Sequence, residues 1–563
     1  MSIQAARNST SPSRPPVKLL MLARRVGALI WDAIPALGAG VVASLAATAL
    51  MLILRLTAGV VTLPELVGER VLPHIDANTF VGLLVRYGKV QPLLDTLAGQ
   101  VVLGIFIAPL YPPLLRLIRQ RLAGRFPRPA TPRPLAAILT PPALAAATFA
   151  LGMWLLALLL FWPVLAETLL GFPIGTARTI TILGILGIFV CYGAVLALVY
   201  VALTVARRPL LATPGRRAST GGSSINRRTL LIRSGIVTVG ALFVGGFAID
   251  ALLRAINARS NLAYEGMTTP SPIAYLTPTN QFYVVSKNVL DPEVVLSNWS
   301  LQVRGLVKKA KYYDLAGLRA LPHTERAITL ECIANGVGGH LISNALWRGV
   351  ALADLLHASG GPQPSATHVV FSSVDGYLSS LPLADLLAVG TLLAWDMNGA
   401  PLPHHHGFPL RAVVPGRFGE QSAKWVTRIE LVDHPVKGFY QQQGWYDGPI
   451  YTTSRIDSPG KQAKLPLGQP VQVHGIAYGG ARGIQRVEVS TDDGATWTPA
   501  SFPPPLSPDT WVLWSWTWTP TQSGSYTLVV RATDGTGAPQ ITTMRGTVPN
   551  GGTGLHRVPV TVA

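Results

Sequence analysis

Residues 179–205 read TITILGILGIFVCYGAVLALVYVALTV and carry no Asp, Glu, Lys or Arg. A spanning helix needs about 20 mostly apolar residues to cross the roughly 30 Å hydrocarbon core of a bilayer, so this stretch reads as a membrane span. Four more stretches have the same character: 34–58, 96–115, 137–163 and 235–252. The second is interrupted by Pro109, Pro112 and Pro113, which membrane helices tolerate better than soluble ones because neighbouring groups re-satisfy the freed backbone. The last is the shortest and is rich in Gly and Ala. About five spans make residues 1–255 an α-helical membrane bundle.

Composition agrees. Of 563 residues, 49% are hydrophobic and 13% charged, against roughly 25% charged in an average soluble protein. An ordinary soluble enzyme and a disordered chain are both excluded. Two cysteines, Cys191 and Cys332, exclude a disulfide-stapled scaffold. The formal net charge of +19 raises nucleic acid as a partner, but its distribution answers otherwise. Segments 1–26, 116–133 and 206–233 together hold 18 Lys and Arg and no Asp or Glu. The alternate loops differ: 60–95 has three basic and four acidic residues, and 164–178 has one of each. Cytoplasmic loops carry the excess of Lys and Arg. The expected topology is therefore a multi-pass cell-membrane protein with a cytoplasmic N-terminus and everything after residue 255 on the extracytoplasmic side. Helices buried in a large soluble protein would leave the charge alternation to coincidence. No nucleic acid is expected as a partner.

Before the fifth span, Ser224-Ile225-Asn226-Arg227-Arg228-Thr229-Leu230-Leu231 resembles a twin-arginine export signal. The alternative is further positive-inside charge. Residues 256–270 read as a linker. Residues 271–455 mix short strands, such as Val369–Ser373 and Arg411–Val414, with helical turns at Leu315–Leu321 and Leu352–Ala358. In 456–563, strand-length apolar or alternating runs recur at Val471–Ile476, Gln485–Ser490, Trp511–Trp518 and Tyr526–Ala532. Turns such as Asp493-Gly494 and Asp534-Gly535 punctuate them, the pattern of an all-β immunoglobulin-like sandwich.

Cys332 is the only cysteine outside the membrane region. A lone thiol is a small buried hydrophobe, a nucleophile or a soft-metal ligand. His404, His405 and His406 suggest zinc, but in an extended segment only alternate side chains share a face, so at most His404 and His406 could share a metal. His406, Arg411 and Lys424, with Gly-rich backbone between them, suit a phosphate instead; the alternative is a solvated basic face.

Several ordered motifs carry a family resemblance. They are Phe282-Tyr283-Val284, Leu330-Glu331-Cys332-Ile333-Ala334-Asn335, Trp347-Arg348-Gly349-Val350, Val374-Asp375-Gly376, Met397-Asn398-Gly399, His406-Gly407-Phe408-Pro409-Leu410-Arg411 and Lys424-Trp425. With them, 275–455 resembles the molybdopterin-binding domain of the sulfite oxidase family, an α+β fold. Val487–Ser490 and Gly494–Trp497 resemble that family's immunoglobulin-like dimerisation domain, so a homodimer is among the expected partners. The resemblance implies that Cys332 gives molybdenum its thiolate ligand. It implies that His406, Arg411 and Lys424, with backbone of Ser422 and Ala423, hold the pterin and its phosphate. Asp375 would take polar hydrogens of the pterin, and Asn280, Tyr283 and Val284 would line its other side.

The resemblance to sulfite oxidases themselves is incomplete. Where they have arginines after the Cys motif, Asn335-Gly336-Val337-Gly338-Gly339 has none. Their Arg-Asn-His segment becomes Val284-Val285-Ser286-Lys287-Asn288, and a lysine lacks bidentate geometry. Their active-site tyrosine aligns with Trp445, beside Tyr446. Arg482 matches an arginine that the second domain contributes. The cofactor is expected to be kept and sulfite oxidation to be absent or poor, leaving a small oxo-donor or oxo-acceptor such as a sulfoxide or N-oxide. The one histidine in the first 260 residues is His74, in an outer loop, and no Cys-x-x-Cys-His is present. No haem is therefore expected, and electrons come from a separate protein or a quinol-linked partner. Two other classes stand beside this one: a cofactor-free membrane-tethered scaffold on the same fold, and a cysteine hydrolase using Cys332 with His340 or His406.

Overall fold

The computed structural model describes residues 17–71, 74–76, 79, 90–122, 140–165, 170–204, 227–259, 274–288 and 291–563. The basic stretches 1–16, 123–133 and 206–226, the Ser224–Asn226 part of the twin-arginine-like segment, and 260–270 of the expected linker lie outside them.

The N-terminal helices are α1 (Val17–Ala58), α2 (Leu63–Val71), α3 (Val90–Ile107), α4 (Tyr111–Leu122), α5 (Pro141–Phe161), α6 (Ile174–Thr204) and α7 (Arg227–Arg259). Among the described residues, five helices are long and apolar enough to cross a membrane: Asp32–Ala58, Asp95–Leu122, Pro141–Val164, Ile174–Thr204 and Ser234–Arg254. The prolines of the second do interrupt it. A 3-10 turn, Ala108–Leu110, separates α3 from α4, because Pro109 and the Pro112-Pro113 pair supply no backbone N–H to an α-helical ladder. Helix α7 runs on to Arg259, so the first residues after the fifth span are still helical.

The chain divides into two compact units. One comprises Met1–Leu54, Asp95–Leu160 and Leu183–Ala255. Within it the Tyr192 hydroxyl donates to the Gly104 carbonyl, the Phe149 and Tyr192 rings stack with centroids 5.9 Å apart, and Gln100 Nε2 donates to Thr48 Oγ1 at 3.2 Å.

The other unit comprises Arg55–Leu94, Phe161–Ile182 and Ile256–Ala563. Two segments between spans thus belong with the C-terminal half. Helix α2 starts in a capping box. Thr62 N donates to Glu65 Oε2 at 2.8 Å, while Glu65 N donates to Thr62 Oγ1 at 3.3 Å, so two orphan N–H groups are satisfied reciprocally. Arg55 also donates to Glu65, at 3.2 Å. In the other segment, the Leu170 carbonyl accepts from Val295 N at 3.1 Å.

The next part contains β1 (Leu301–Gly305), β2 (Lys311–Tyr313), α8 (Leu315–Arg319), β3 (Thr324–Glu331), β4 (Ile342–Ala351), α9 (Leu352–Ala358), β5 (His368–Ser373), β6 (Leu378–Pro382), α10 (Leu383–Ala388), β7 (Leu392–Met397), β8 (Ala400–Pro401), β9 (Arg411–Val413) and β10 (Val426–Val432). They form two sheets, ordered β2-β1-β10-β5-β6 and β3-β4-β7-β8, with β9 paired to β7. Strands β1 and β10 are parallel neighbours, so the second sheet lies in the crossover between them. One core, including Leu301, Val303, Phe371, Trp395, Ile429 and Leu431, underlies the first sheet. A smaller one, including Phe282, Leu330, Cys332, Trp347 and Val413, surrounds the end of β3.

The last part holds β11 (Thr453–Ser458), β12 (Lys464–Leu465), β13 (Val471–Tyr478), β14 (Ile484–Ser490), β15 (Thr498–Ala500), β16 (Val512–Trp518), β17 (Gly524–Asp534) and β18 (His556–Val562). Sheets β11-β13-β16 and β12-β18-β17-β14-β15 share a core of Val473, Ala477, Trp514, Val487, Leu528, Val530, Val558 and Val560. This is a two-sheet β-sandwich. Alternate residues of β18 are buried and exposed without a break, as a strand with one face on the core requires.

Candidate active site

Cys332 follows the last residue of β3, and its position is fixed by backbone. Its N–H donates to the Leu341 carbonyl at 2.9 Å, and its carbonyl accepts from Asn335 N at 2.8 Å. Asn335 closes the loop: Nδ2 donates to Glu331 Oε1 at 2.8 Å and Oδ1 accepts from Leu341 N at 2.9 Å. The glycines that stand where sulfite oxidases have arginines serve packing. Gly338 has φ +75°, and a Cβ there would come within 2.4 Å of the His556 ring. Arg455 Nη1 donates to the Gly339 carbonyl at 2.5 Å. The β-sandwich therefore seats directly on the loop that follows Cys332. Burial pushes the Cys332 thiol up to about 12, with Glu420 adding to the rise. An apolar niche alone leaves this sulfur protonated, and a soft cation would convert it to the thiolate.

The basic residues gather as expected. His404–His406 form a 3-10 turn that ends at Gly407, φ +113°. The extended segment expected there is absent, because Gly407 adopts a left-handed conformation that reverses the chain and sends His406 inward. A Cβ on Gly407 would sit 3.1 Å from that of Lys424 and 3.2 Å from that of Arg411, so this glycine lets the two cations approach. His406 Nε2 is 3.2 Å from the Thr279 carbonyl, and its ring meets Phe282 edge-on at 5.4 Å. Burial, reinforced by His405, Arg411 and Lys424, holds His406 well below its usual pKa. Arg411 Nη1 donates to the His406 carbonyl at 3.2 Å, and its Nε is buried without a hydrogen-bond partner. Burial lowers Arg411 to about 10. Lys424 Nζ donates to the His405 carbonyl at 3.0 Å. Ser422 Oγ accepts from Val414 N at 3.1 Å, and the Ala423 carbonyl from Ala412 N at 2.9 Å, which pins this strip against β9.

A third wall is aromatic and acidic. Tyr283 is buried, its N–H donates to Ser343 Oγ at 3.2 Å, and its hydroxyl has no partner. Burial raises Tyr283 well above the usual range, with Cys332 the next contributor and Glu420 and Glu331 further ones. Tyr440 is likewise raised by burial first and Cys332 second, then by Glu420, Asp375 and Glu69. The Tyr377 hydroxyl donates to the Glu420 carbonyl at 2.5 Å. Both Glu420 carboxyl oxygens are buried, and burial lifts that acid to about 8 against the pull of its own backbone and that of Ile333. Burial likewise lifts Glu331 to about 7, against the pull of Asn335 and Arg455. Asp375 accepts from Asn288 Nδ2 at 2.7 Å and from Tyr377 N at 3.2 Å.

Not every expected residue has these neighbours. Trp445 is buried and lies 4.3 Å from Tyr440, centroid to centroid. Tyr446 instead stacks on Tyr451 at 5.3 Å and donates to the Pro449 carbonyl at 3.1 Å. Arg482 is bound within its own surroundings, donating to Asp534 Oδ2 at 2.7 Å and to the Ile450 carbonyl at 3.0 Å. Asn280 is exposed and Val284 half-buried in the chain flanking Phe282 and Tyr283. Glu420, Tyr377, Tyr440 and Glu69 were not singled out from the sequence. Glu420 lies two residues before the Ser422–Lys424 strip and was within reach of that reading; Glu69, in the short helix α2, had no motif around it.

The donor set fits a molybdenum–pterin group. It offers one soft sulfur, a buried guanidinium with an unpartnered Nε, a neutral imidazole, a lysine and a buried tyrosine hydroxyl awaiting a partner. Residues 288–440 match the oxidoreductase molybdopterin-binding domain, and residues 449–562 the Mo-co oxidoreductase dimerisation domain. The chain is 31% identical over 294 residues to a sulfite oxidase of Arabidopsis thaliana, a match covering 44% of this chain and 75% of that protein. It is 31% identical over 311 residues to the sulfite oxidase of Gallus gallus, covering 46% and 67%. It is 28% identical over 321 residues to the inducible nitrate reductase [NADH] 1 of Glycine max, covering 45% of this chain but only 35% of that one. The chain therefore belongs to the molybdopterin-dependent oxidoreductase family of the sulfite oxidases and nitrate reductases, with a Mo-co dimerisation domain behind its molybdopterin-binding domain.

Proposed function

We propose that this protein is a membrane-anchored oxidoreductase whose catalytic domain lies on the extracytoplasmic side. There it transfers an oxygen atom at a molybdenum bound by the Cys332 thiolate, with a small neutral oxo-substrate, such as a sulfoxide or N-oxide, in place of sulfite. The observation that carries this reading is that the cations near Cys332 are gathered into one group. Arg411, Lys424 and the neutral His406 form one side. The acids Glu331 and Glu420, whose carboxyl groups are buried, and the hydroxyls of Tyr283 and Tyr440 add no cation to it.

When bound, the molybdenum–pterin group supplies two-electron oxygen-atom exchange. The chain's own residues do the rest. The Arg411 fork and the Lys424 ammonium suit the pterin phosphate. His406, kept neutral, can donate one ring N–H and accept at the other nitrogen. Tyr283 packs in the same buried cluster as Cys332, and Tyr440 in that of the next residue, Ile333. Glu420, lifted to about 8 by burial, keeps its proton at neutral pH, so this side offers uncharged donors and no cation to a substrate oxygen, which suits a neutral oxo-substrate better than an oxyanion that must be buried without a counter-charge. In the reductive direction, the oxo-substrate plus two electrons and two protons gives the reduced product plus water. A separate protein or quinol-linked partner supplies the electrons. The dimerisation domain supports a homodimer.

The test is a donor and acceptor screen on metal-loaded protein. Molybdenum near one per chain with turnover of sulfoxides or N-oxides is expected. Sulfite oxidation at a kcat of about 10 s⁻¹ or more contradicts the substrate reading.

A further inference from the structure

The β-sandwich holds the chain on both sides of Cys332. Strand β3, which leads into it, is the edge of its sheet. An edge strand leaves a row of N–H and C=O groups unpaired unless something covers them, and here sandwich residues do. Thr329 N donates to the Asp509 carbonyl at 3.0 Å, and the Tyr478 hydroxyl donates to the Thr329 carbonyl at 2.8 Å. Trp511 N donates to Thr329 Oγ1 at 3.0 Å, and Ser507 Oγ to the Ala327 carbonyl at 2.6 Å. Thr329, Tyr478 and Trp511 are all buried.

The loop after Cys332 is gripped by an ion pair. Gly336, Gly338 and Gly339 make the loop's own backbone permissive. Arg455 Nη1 donates to the Gly339 carbonyl at 2.5 Å. Leu341, two residues on, donates its N–H to Asn335 Oδ1 and accepts the N–H of Cys332 on its carbonyl, so the Gly339 peptide is tied to Cys332 through hydrogen-bonded backbone. The guanidinium is itself oriented by Asp457, whose Oδ1 lies 2.5 Å from Arg455 Nε, with the two side chains 4% and 7% exposed. The register of β11 against β13 shifts between Ile456 and Ser458, and such an irregularity re-aims a side chain, here that of Asp457. Between the pair, Ile456 N donates to His556 Nδ1 at 3.0 Å, which fixes the ring that Gly338 packs against.

A planar guanidinium can hold a carboxylate through one N–H and a carbonyl through another in a fixed relation, which an ammonium cannot. Groups behind a metal ligand that fix its orientation tune the metal as well as hold it.

Resting on the preceding reading of Cys332 as the molybdenum's thiolate, we propose that Arg455, oriented by Asp457, is a positioning residue for that thiolate: it clamps the loop after Cys332 and so sets the direction from which the sulfur meets the metal. The sandwich then shapes the metal centre of its own chain.

The test uses full-length, metal-loaded protein in detergent. It reads molybdenum per chain, the thermal unfolding midpoint and the paramagnetic resonance spectrum of Mo(V) made by dithionite reduction. Arg455→Met combined with Asp457→Leu removes both charges at once, a replacement that buried pairs commonly tolerate in stability. This double variant should keep its molybdenum and unfold within about 4 °C of wild type, yet displace the Mo(V) g-values by more than the line width. Arg455→Lys keeps the charge without the fork and should displace them in the same direction by less. Arg531→Met, which breaks a pair with Glu488 elsewhere in the sandwich, should leave them unchanged. The proposal is overturned if the double variant keeps both its metal and the wild-type spectrum, or if Arg531→Met moves the spectrum as far. Where the double variant does not fold or holds no metal, Arg455→Lys decides the matter, and a wild-type spectrum there overturns the proposal. Wild-type protein without molybdenum or pterin, or an unchanged spectrum in Cys332→Ser, would instead overturn the reading of Cys332 beneath it.

Discussion

Glu420 is a buried acid whose protonation is set by its surroundings. Burial lifts its carboxyl to about 8, against ~4.3 in an unfolded chain. Between those values the folded form holds a proton that the unfolded form releases. Its contribution to stability is full below about pH 4 and is lost as pH rises through about 8. Glu420→Gln, uncharged throughout, should therefore match wild type at pH 4 and exceed it by on the order of 5 kcal/mol at pH 9, read as unfolding free energies of cofactor-free protein. Equal differences at both pH values would contradict the burial account. The sequence showed the neighbours of this residue but not its state, because a pKa follows from what surrounds a side chain in space. Cys332, His406, Arg411 and Lys424 were legible for the opposite reason: their types and order carry the chemistry whatever the distances between them.

Among the elements, the spans were the most readable, since length and apolarity alone decide them. The sandwich strands β13, β14, β16 and β17 were found from alternation and turn residues, and Asp493-Gly494 joins β14 to its neighbour β15. Asp493 and Gly494 do adopt positive φ, at 59° and 97°, as a tight hairpin connection requires. Strand β18 was missed although its burial alternates, because Pro559 lies within it and a proline demotes a candidate strand. Its partner is Thr527 of β17. Helix α2, at nine residues, was too short to stand out between two spans. The loop after Cys332 was read as a loss of arginines, while the structure adds what replaced them, a close seat for the sandwich. Gly338→Ala tests that seat. With a left-handed φ and a Cβ 2.4 Å from His556, the substitution should cost about 1–3 kcal/mol. A thermal unfolding midpoint equal to wild type would mean that the two parts do not bear on each other there.

For the whole molecule, the charge of +19 is unevenly spread, with 18 basic and no acidic residues in three segments. Outside the three basic segments the chain has 28 basic and 27 acidic residues, so the cations that matter there are few and individually placed. The division into units was less legible. Composition separates residues 1–255 from the rest, but Arg55–Leu94 and Phe161–Ile182 belong with the catalytic domain, because their contacts are made after folding by residues such as Glu69, Ile75 and Leu170. The central claim is that the chain holds molybdenum through a pterin and through the Cys332 sulfur. X-ray absorption at the molybdenum edge tests it most directly. The account predicts one protein thiolate in addition to the pterin's two sulfurs in wild type, and one sulfur fewer in Cys332→Ser with the pterin still bound. An unchanged sulfur count in that variant, or wild-type protein that folds with neither metal nor pterin, would contradict it.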